Sequence, residues 1–196
     1  MDITFIGLGK LGLPLACILA QKNKVLCLDK NEYVLDKLNN NEMPFYEPGL
    51  QSLWEGVRSN ITGYTDSYKS AIHSTDAAII LVNTQLGDDG YSSDFVESAL
   101  TDIAVSLRDR TGGYFLIVLS STVLPGTVMT KLIPLVEKIS GKKYGQEFGF
   151  SFVPDFVKLG CVVKDFKNPE FFLIGSNNDK DHDLTHEIFS GIHENS

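Results

Sequence analysis

Residues 3–16 read Ile3-Thr-Phe-Ile-Gly-Leu-Gly-Lys-Leu-Gly-Leu-Pro-Leu-Ala16, an apolar strand that runs through three spaced glycines into an apolar helix start. Gly7, Gly9 and Gly12 match the pattern Gly-x-Gly-x-x-Gly. In this pattern the glycines allow a tight turn, a close approach of the backbone to a pyrophosphate, and tight packing of helix on strand. Because the N–H groups at the start of such a helix attract anions, this glycine turn (residues 7–12) indicates phosphate binding.

The residues after the turn support binding of a dinucleotide. A helix is predicted over Leu11–Gln21 and a strand over Lys24–Leu28, and Asp29 follows 20 residues after Gly9. A carboxylate at this place accepts hydrogen bonds from a ribose 2′-hydroxyl and repels a 2′-phosphate, which favours NAD over NADP. Two points stay open here: Lys30 beside it opposes that preference, and Asp29 has the alternative role of capping the next helix.

Composition places the chain among ordinary globular proteins. Its 196 residues are 43% hydrophobic and 21% charged, which argues against disorder and predicts one domain spanning residues 1–196. The net charge is −8 and no basic cluster occurs, so nucleic acid and anionic membranes are poor partners.

Cysteine usage indicates the compartment. Cys17, Cys27 and Cys161 are odd in number, have no paired spacing and lie in apolar stretches, so we expect reduced core thiols in a cytoplasmic protein. Since no stretch approaches the ~18 apolar residues that a membrane helix needs, we also expect a soluble protein.

Strand and helix patterns alternate along the whole chain. This alternation predicts an α/β fold: a doubly wound, mostly parallel sheet (Rossmann-like) with helices on both faces. Later strands are predicted over Asp76–Val82, Tyr114–Leu119, Phe148–Val153 and Phe171–Ile174. The later helices include one over Ser92–Leu107, capped by Ser92 or Ser93 with Phe95 among its apolar positions, and one over about 179–192.

Four short segments follow strand ends: the glycine turn, Asn83–Gln85, Ser120–Thr122 and Pro154–Asp155. In open α/β sheets such segments converge on one edge, where ligands bind, so we expect them to share a site. Thr122 is a candidate for orienting a water or a substrate oxygen, or else it satisfies local backbone. Asp155 is a candidate general base if it is partly desolvated, or else it caps a helix after Pro154.

Other reactive side chains point to no further chemistry. His182 and His186 are four residues apart and share a predicted helix face, which gives half a zinc site. They lack a third ligand in a known spacing, so we interpret them as solvated and predict no metal site. Cys161 as a nucleophile would need a base, and no histidine lies near it in sequence.

The ordered motifs resemble the N-terminal domain of UDP-glucose 6-dehydrogenases, within the nucleotide-sugar dehydrogenase family that includes GDP-mannose dehydrogenases. The resemblance covers nearly the whole chain. It rests on the glycine turn and Asp29, and on Phe45-Tyr-Glu-Pro-Gly-Leu50, Leu81-Val-Asn-Thr-Gln85, Ser121-Thr-Val-Leu-Pro-Gly-Thr127, Val153-Pro-Asp-Phe-Val-Lys-Leu-Gly160 and Lys164-Asp-Phe-Lys-Asn-Pro169.

The resemblance implies that NAD accepts hydride while a sugar 6-hydroxyl is oxidised to a carboxylate. In this chain Thr84 and Thr122 would line the edge between cofactor and substrate, and Asp155 would take the place of an acid/base glutamate. The residues that would hold NAD are Gly7, Gly9, Leu11, Gly12 and Asp29.

Four positions depart from the family pattern. Lys10 stands where tyrosine is usual, and Val153 replaces an asparagine. Asp155 is one methylene shorter than the family's first glutamate. Leu159 replaces the second glutamate and can neither take nor give a proton. These departures leave the acid/base step in question.

Family members continue into a long connecting helix and a second domain that supplies a catalytic cysteine. We expect residues 1–196 to lack both and to be inactive in isolation, with a nucleotide sugar of the UDP-glucose or GDP-mannose class bound only when a second domain completes the site. A homo-oligomer is compatible with the sequence. The first alternative is a non-catalytic nucleotide-binding or interaction module derived from the family. The second, a hydroxyacid dehydrogenase of the 6-phosphogluconate type, leaves Glu47–Leu50 and Ser121–Thr127 unexplained.

Overall fold

The computed structural model describes residues 1–84, 86, 87 and 90–192. The strands are β1 (Asp2–Ile6), β2 (Lys24–Leu28), β3 (Ile61–Thr65), β4 (Ala77–Ile80), β5 (Leu86–Gly87), β6 (Gly90–Tyr91), β7 (Phe115–Leu119), β8 (Phe148–Phe152) and β9 (Gly175–Ser176). The helices are α1 (Gly12–Leu19), α2 (Glu32–Asn39), α3 (Leu50–Val57), α4 (Tyr68–Ser74), α5 (Asp94–Arg108), α6 (Ile133–Ser140), α7 (Val162–Lys167) and α8 (Asp179–Phe189). A 3-10 turn (Arg58–Asn60) follows α3, and a π-helical turn (Val128–Leu132) leads into α6.

Among the described residues, seven strands form one sheet in the order β3-β2-β1-β4-β7-β8-β9, and β5 and β6 form a separate antiparallel pair. All pairs from β3 to β8 are parallel, while β9 runs antiparallel to β8. The predicted doubly wound, mostly parallel sheet is therefore confirmed. The strand order reverses direction between β1 and β4, and ligands of open α/β sheets bind at such a switch point.

Residues of the central strands alternate between two cores, one on each face of the sheet. Ile3 and Phe5 of β1 pack in the core that contains α1, α2, α3, α7 and α8, whereas Ile6 packs in the core that contains α4, α5 and α6. This alternation is the period of two that a strand covered on both faces requires. Every residue of α1 is buried, so the helix that follows the glycine turn is fixed on all sides.

A buried carboxylate anchors α8 to the sheet. Asp181 is 0% exposed and accepts hydrogen bonds from the Tyr114 hydroxyl (2.6 Å) and the Phe150 N–H (3.1 Å). Burial and this hydrogen bond raise the pKa of the Tyr114 phenol. Gly149 leaves the space that Asp181 occupies, because a Cβ there would lie 1.9 Å from Asp181 Oδ1. The helix predicted from its polar surface thus carries one buried, fully bonded acid.

The predicted strand Phe171–Ile174 is wrong. These residues form a loop, and the last strand is the two-residue β9 that follows them. The aromatic side chains of the loop stack outside the sheet, with Phe171 against Phe156 at 4.6 Å and Phe172 against Phe189 at 5.1 Å between ring centroids. The apolar residues 171–174 therefore pack through their aromatic rings and do not pair as a strand.

Smaller differences concern helix ends and cysteines. Helix α8 ends at Phe189, ahead of Gly191 in the left-handed region (φ 70°), and does not reach residue 192. At the start of α5, Ser92 Oγ accepts from the Asp94 N–H at 3.2 Å, while the Ser93 hydroxyl bonds Glu97. Cys161 is exposed, contrary to the expectation of three core thiols, whereas Cys17 and Cys27 are buried.

The predicted strand-end segment Asn83–Gln85 falls partly outside the described residues, since Gln85 is not described. Within the described ranges, no helix combines the length and apolarity needed to cross a membrane.

We predict that Gly149→Ala destabilises the fold by ~2–3 kcal/mol, because the added methyl would lie 1.9 Å from Asp181 Oδ1 and 2.8 Å from the Tyr114 hydroxyl oxygen. The matched control is Gly113→Ala, where a Cβ meets nothing within 4 Å. Urea unfolding followed by circular dichroism measures both. Equal midpoints for the two variants would contradict the anchoring role of Asp181.

Candidate functional site

Two glycines of the glycine turn are required by backbone contacts. Gly7 has a φ of +98°, and a Cβ there would lie 2.2 Å from the Leu81 carbonyl oxygen. A Cβ at Gly12 would lie 1.8 Å from the Gly7 carbonyl oxygen. At Gly9 a Cβ would meet nothing within 4 Å, so the turn is closed on its protein side and open toward solvent. Such an open backbone turn can receive an anionic group at the start of α1.

Asp29 links the end of β2 to this turn. Its Oδ2 accepts from the Leu8 N–H at 2.5 Å and its Oδ1 from the Asn31 N–H at 2.8 Å. The N-cap of α2 is Asn31, whose side chain accepts from the Tyr33 N–H at 3.1 Å. Asp29 therefore does not serve as the helix cap, and the capping alternative is excluded.

A first cleft of about 470 Å³ opens beside Asp29. The Lys30 ammonium forms an ion pair with Asp102 of α5 at 2.7 Å and lies 5.4 Å from the centroid of the Tyr68 ring. This ion pair bridges the end of β2 and α5. The lysine charge beside Asp29 therefore has an acidic partner. The residues around the cleft are Ile6, Gly7, Gly9, Leu28, Asp29, Lys30, Asn31, Tyr68, Leu81, Val82, Asn83, Phe95, Ser98 and Ala99.

Ser121 connects the ends of β7 and β4. The Val82 N–H donates to Ser121 Oγ at 2.8 Å, and the Ser121 hydroxyl donates to the Val82 carbonyl oxygen at 2.9 Å. Because Ser121 is 2% exposed, this exchange holds the two strand ends together without solvent between them. The motif that begins at Ser121 therefore joins the ends of β7 and β4 at this edge of the sheet.

A second cleft of about 570 Å³ lies over these strand ends. It shares Gly9, Leu81, Val82 and Asn83 with the first cleft, so the two clefts adjoin across the glycine turn, and we call the pair the groove. The other residues around it are Lys10, Leu11, Gly12, Thr84, Ser120, Ser121, Thr122, Asp155, Val157 and Leu159.

The structure brings the sequence-predicted site residues into this one groove. Gly7 and Asp29 lie on the first cleft, Gly9 on both, and Leu11, Gly12, Thr84, Thr122 and Asp155 on the second. Within the described ranges, neither the Thr84 nor the Thr122 hydroxyl has a hydrogen-bond partner, so Thr122 is not used to satisfy local backbone. Gln85, the last residue of its strand-end segment, lies outside the described residues.

Asp155 and Ser120 present buried oxygens without partners. Among the described residues, Asp155 Oδ2 and Ser120 Oγ have no hydrogen-bond partner, and Ser120 is 3% exposed. Burial raises the pKa of the Asp155 carboxyl to about 7. Asp155 does not cap α7, which begins at Val162. Buried polar atoms are normally bonded, so two such orphans in one cleft indicate that a ligand or water supplies their partners.

The sequence pattern did not predict the exposure of the side chains around the groove, or that a cation there has no ion pair among the described residues. Lys10 is exposed at the start of α1 and forms no ion pair within the described part of the chain. A cation there is repelled by the positive end of the helix unless an anion binds nearby. Leu159 is 65% exposed on the second cleft. Phe95, one of the apolar positions from which the amphipathic helix α5 was predicted, is 49% exposed and lines the first cleft, as its place in the first turn of that helix allows.

Three reactive side chains lie apart from the groove. Cys161, His182 and His186 are exposed and line neither cleft. The two histidine rings lie 6.3 Å apart on α8. The described residues contain no group of three histidine, cysteine or acidic side chains placed to hold a metal ion.

Comparison with known proteins agrees with this architecture. The family model described as UDP-glucose/GDP-mannose dehydrogenase family, NAD binding domain, matches residues 1–193. GDP-mannose 6-dehydrogenase of Pseudomonas syringae pv. syringae is 34% identical over 98% of this chain and 44% of its own length. UDP-glucose 6-dehydrogenase of Haloferax volcanii is 30% identical over 99% of this chain and 45% of its own.

A solved structure of a related enzyme has a similar fold. The crystal structure of a ternary complex of GDP-mannose dehydrogenase from Pseudomonas aeruginosa superposes with a TM-score of 0.90 at 32% identity, over 96% of this chain and 44% of that one. The chain therefore spans less than half the length of the relatives it matches.

We predict that Asp155→Asn stabilises the protein above pH 7. The ordinary pKa of an aspartate in the unfolded chain is ~4, and the raised folded value of about 7 means that the folded state favours the protonated acid. This contribution to stability is complete below pH ~4 and is lost as the pH rises through 7, so the variant gains up to ~4 kcal/mol at high pH.

Thermal unfolding from pH 4 to 8 measures this difference. The matched control is Asp36→Asn on the exposed surface of α2, which is expected to follow the wild type at every pH. A difference in melting temperature between Asp155→Asn and wild type that does not increase with pH would show that the pKa of the Asp155 carboxyl is not raised in the folded state.

Proposed function

Because the chain belongs to the UDP-glucose/GDP-mannose dehydrogenase family and matches that family's NAD-binding domain over residues 1–193, we propose that its groove holds NAD for the oxidation of a sugar-nucleotide 6-hydroxyl. The observation that carries the proposal is the groove formed by the two adjoining clefts: one cleft, on one side of the glycine turn, contains the Asp29 carboxylate, and the other contains Asp155 and hydroxyls that are unpaired within the described ranges. When bound, NAD supplies the hydride acceptor.

The residues present fit this cofactor. Gly7 and Gly12 are closed against backbone, while Gly9 leaves the turn open for a pyrophosphate near the N–H groups of Leu11 and Gly12. Asp29 keeps carboxylate lone pairs free after accepting two backbone N–H groups, and these can accept from ribose hydroxyls. We therefore assign the pyrophosphate to the turn and one ribose to Asp29.

The second cleft suits the reacting end of the cofactor and the substrate. Thr84 and Thr122 offer hydroxyls with no protein partner in the described structure, and they can orient a carboxamide or a sugar oxygen. Asp155, whose pKa burial raises to about 7, can accept or return a proton near neutral pH. We propose that Asp155 receives the proton of the sugar hydroxyl.

The substrate class follows from the relatives. GDP-mannose and UDP-glucose dehydrogenases are both similar to this chain over almost its whole length, so we propose a nucleotide sugar of either kind as the substrate. The relatives are more than twice as long as this chain. We accordingly expect the 196-residue chain to bind NAD without oxidising a nucleotide sugar on its own, and we propose that residues 1–196 act as one NAD-binding domain.

Leu159 favours one other function. It occupies the wall of the second cleft with 65% exposure and cannot exchange a proton, which is compatible with a module that binds the nucleotide without chemistry. Such a module would bind NAD but would gain no activity when a separate cysteine-bearing domain of the family is supplied. NADH formation in that mixture, followed at its absorbance band, distinguishes the two functions.

We predict that the chain binds NAD and that Asp29→Ala weakens binding at least ~10-fold, because charge-assisted hydrogen bonds to the ribose are lost. NADP is expected to bind at least ~10-fold more weakly than NAD, since its 2′-phosphate would face the Asp29 carboxylate. Calorimetric titration measures all three affinities.

The control is Asp36→Ala, which removes an exposed carboxylate on α2 and is expected to leave NAD affinity unchanged. Absence of NAD binding by the wild type even at millimolar cofactor would overturn the proposal. Equal affinities for NAD and NADP would contradict the role given to Asp29.

We predict that Lys10→Gln weakens NAD binding ~5-fold at low salt, because its ammonium is the cation nearest the turn without an ion-pair partner in the described structure. The loss is expected to shrink between about 20 and about 300 mM salt as the phosphate charge is screened. Lys22→Gln, which removes an exposed lysine beyond the opposite end of α1, is the matched control. Equal and salt-independent losses in both variants would exclude a phosphate contact by Lys10.

A further inference from the structure

Glu47 is a buried acid that contacts a distant part of the chain. It is 7% exposed, and its two carboxylate oxygens accept from two backbone groups: Oε1 from the Val162 N–H at 2.9 Å and Oε2 from the Gly160 N–H at 3.2 Å. More than a hundred residues separate donor from acceptor in the sequence. Both oxygens of the carboxylate are therefore used to hold one short backbone stretch.

The loop that carries Glu47 is itself fixed. The Leu50 N–H donates to the Glu47 carbonyl oxygen at 3.1 Å, and Leu50 is buried at the start of α3. Gly49 adopts the left-handed region (φ 79°) as the N-cap of α3, and a Cβ there would lie 3.7 Å from Val163 of α7. Glu47 is thus held from α3 and reaches across to the start of α7.

The stretch that Glu47 holds ends the segment of residues 155–161, which we call the Asp155 segment. It leaves β8 and contains no strand or helix, and its residues Asp155, Val157 and Leu159 line the second cleft. A second carboxylate, Asp165 of α7, accepts from the Lys158 N–H at 3.0 Å. Irregular backbone keeps its shape through such contacts, and these two carboxylates hold the C-terminal half of the segment, while the Phe156 ring packs on Phe171 nearer its start.

We propose that Glu47 is a positioning residue, which acts through Gly160 and Val162 to hold the Asp155 segment so that Asp155 stays buried in the second cleft. The proposal rests on the function proposed above in giving Asp155 a role with substrate. Its physical content is independent of that role. Glu47 lines neither cleft, so it acts on the groove only through the backbone it binds.

Glu47→Gln tests this arrangement with little change of volume. The amide offers one acceptor oxygen, and its NH₂ group would face an N–H donor, so either Gly160 or Val162 loses its partner. We expect the segment to loosen and the Asp155 carboxyl to become solvated. Two ionisable residues lie near Asp155 and stay in place: Lys10 lines the second cleft with it, and Asp165 lines with it a separate small pocket next to Phe156.

The measurement is a ¹³C NMR titration of the Asp155 carboxyl in the full 196-residue chain without cofactor, assigned with Asp155→Asn. In the wild type the midpoint is expected near 7, and in Glu47→Gln it is expected to fall by at least about one pH unit toward the ordinary value. The control is Glu55→Gln on the exposed face of α3, whose carboxylate contacts only the Gln51 side chain in the described structure. It is expected to leave the midpoint unchanged.

Hydrogen exchange separates positioning from general destabilisation. In Glu47→Gln, faster amide exchange is expected at residues 158–162, while β1, β4 and β7 keep wild-type rates. An unchanged Asp155 midpoint, with or without faster exchange at Gly160, overturns the inference. Because the titration uses no NAD, this failure is distinct from a failure to bind cofactor.

A second variant keeps the inference testable if Glu47→Gln does not fold. Asp165→Asn weakens the other anchor at the Lys158 N–H and also removes a carboxylate that lines a pocket with Asp155, and both effects are expected to lower the Asp155 midpoint. Faster amide exchange at Lys158, measured beside the midpoint, reports the loosened anchor separately from the lost charge. If Asp165→Asn folds and its Asp155 carboxyl titrates with the wild-type midpoint, the position of the Asp155 segment does not set the pKa of Asp155, and the inference is wrong.

Discussion

The packing of the glycine turn against bare backbone is the constraint on which the site depends. The Gly7 carbonyl oxygen occupies the place of a side chain at Gly12, and the Leu81 carbonyl oxygen occupies that place at Gly7. These contacts set α1 directly on β1 and bring the end of β4 beside the turn, and the ends of β7 and β8 are placed relative to β4 through parallel pairing. Ser121, joined to Val82 by two hydrogen bonds, continues the same close packing one strand further. The groove is therefore a product of how closely backbones approach at the switch point of the sheet.

Carboxylates have three separate uses around this frame. Asp29 accepts backbone N–H groups and keeps capacity for a ligand. Glu47 and Asp181 have their oxygens committed to protein donors and hold loops or helices in place. Asp155 alone among these four combines burial with an orphaned oxygen. The buried acid with an unbonded oxygen, Asp155, lies in the groove, whereas the fully bonded acids Glu47 and Asp181 do not line it. The bonding of each buried acid therefore distinguishes a candidate catalytic group from a structural one.

Sequence patterns predicted most of the frame because those patterns have local causes. Alternating strands and helices, the glycine spacing and the place of Asp29 are set within short stretches, and the doubly wound, mostly parallel sheet was predicted from them. The errors arose where tertiary context decided. Phe171–Ile174 looks like a strand in sequence, yet its rings pack on Phe156 and Phe189. The burial of Asp181 within a polar helix, the exposure of Phe95 on the groove and the orphaned Ser120 hydroxyl depend on neighbours remote in sequence, and no local period reports them.

The ion pair between Lys30 and Asp102 has a consequence for how cofactor preference can evolve. Lys30 stands next to Asp29, and its ammonium is engaged by a carboxylate on α5. Loss of the Asp29 charge alone would remove the repulsion of a 2′-phosphate but would leave the adjacent cation occupied, and loss of Asp102 alone would free that cation beside an intact carboxylate. A shift toward the phosphorylated cofactor is therefore expected to be largest when the two substitutions, which lie on different elements, are combined.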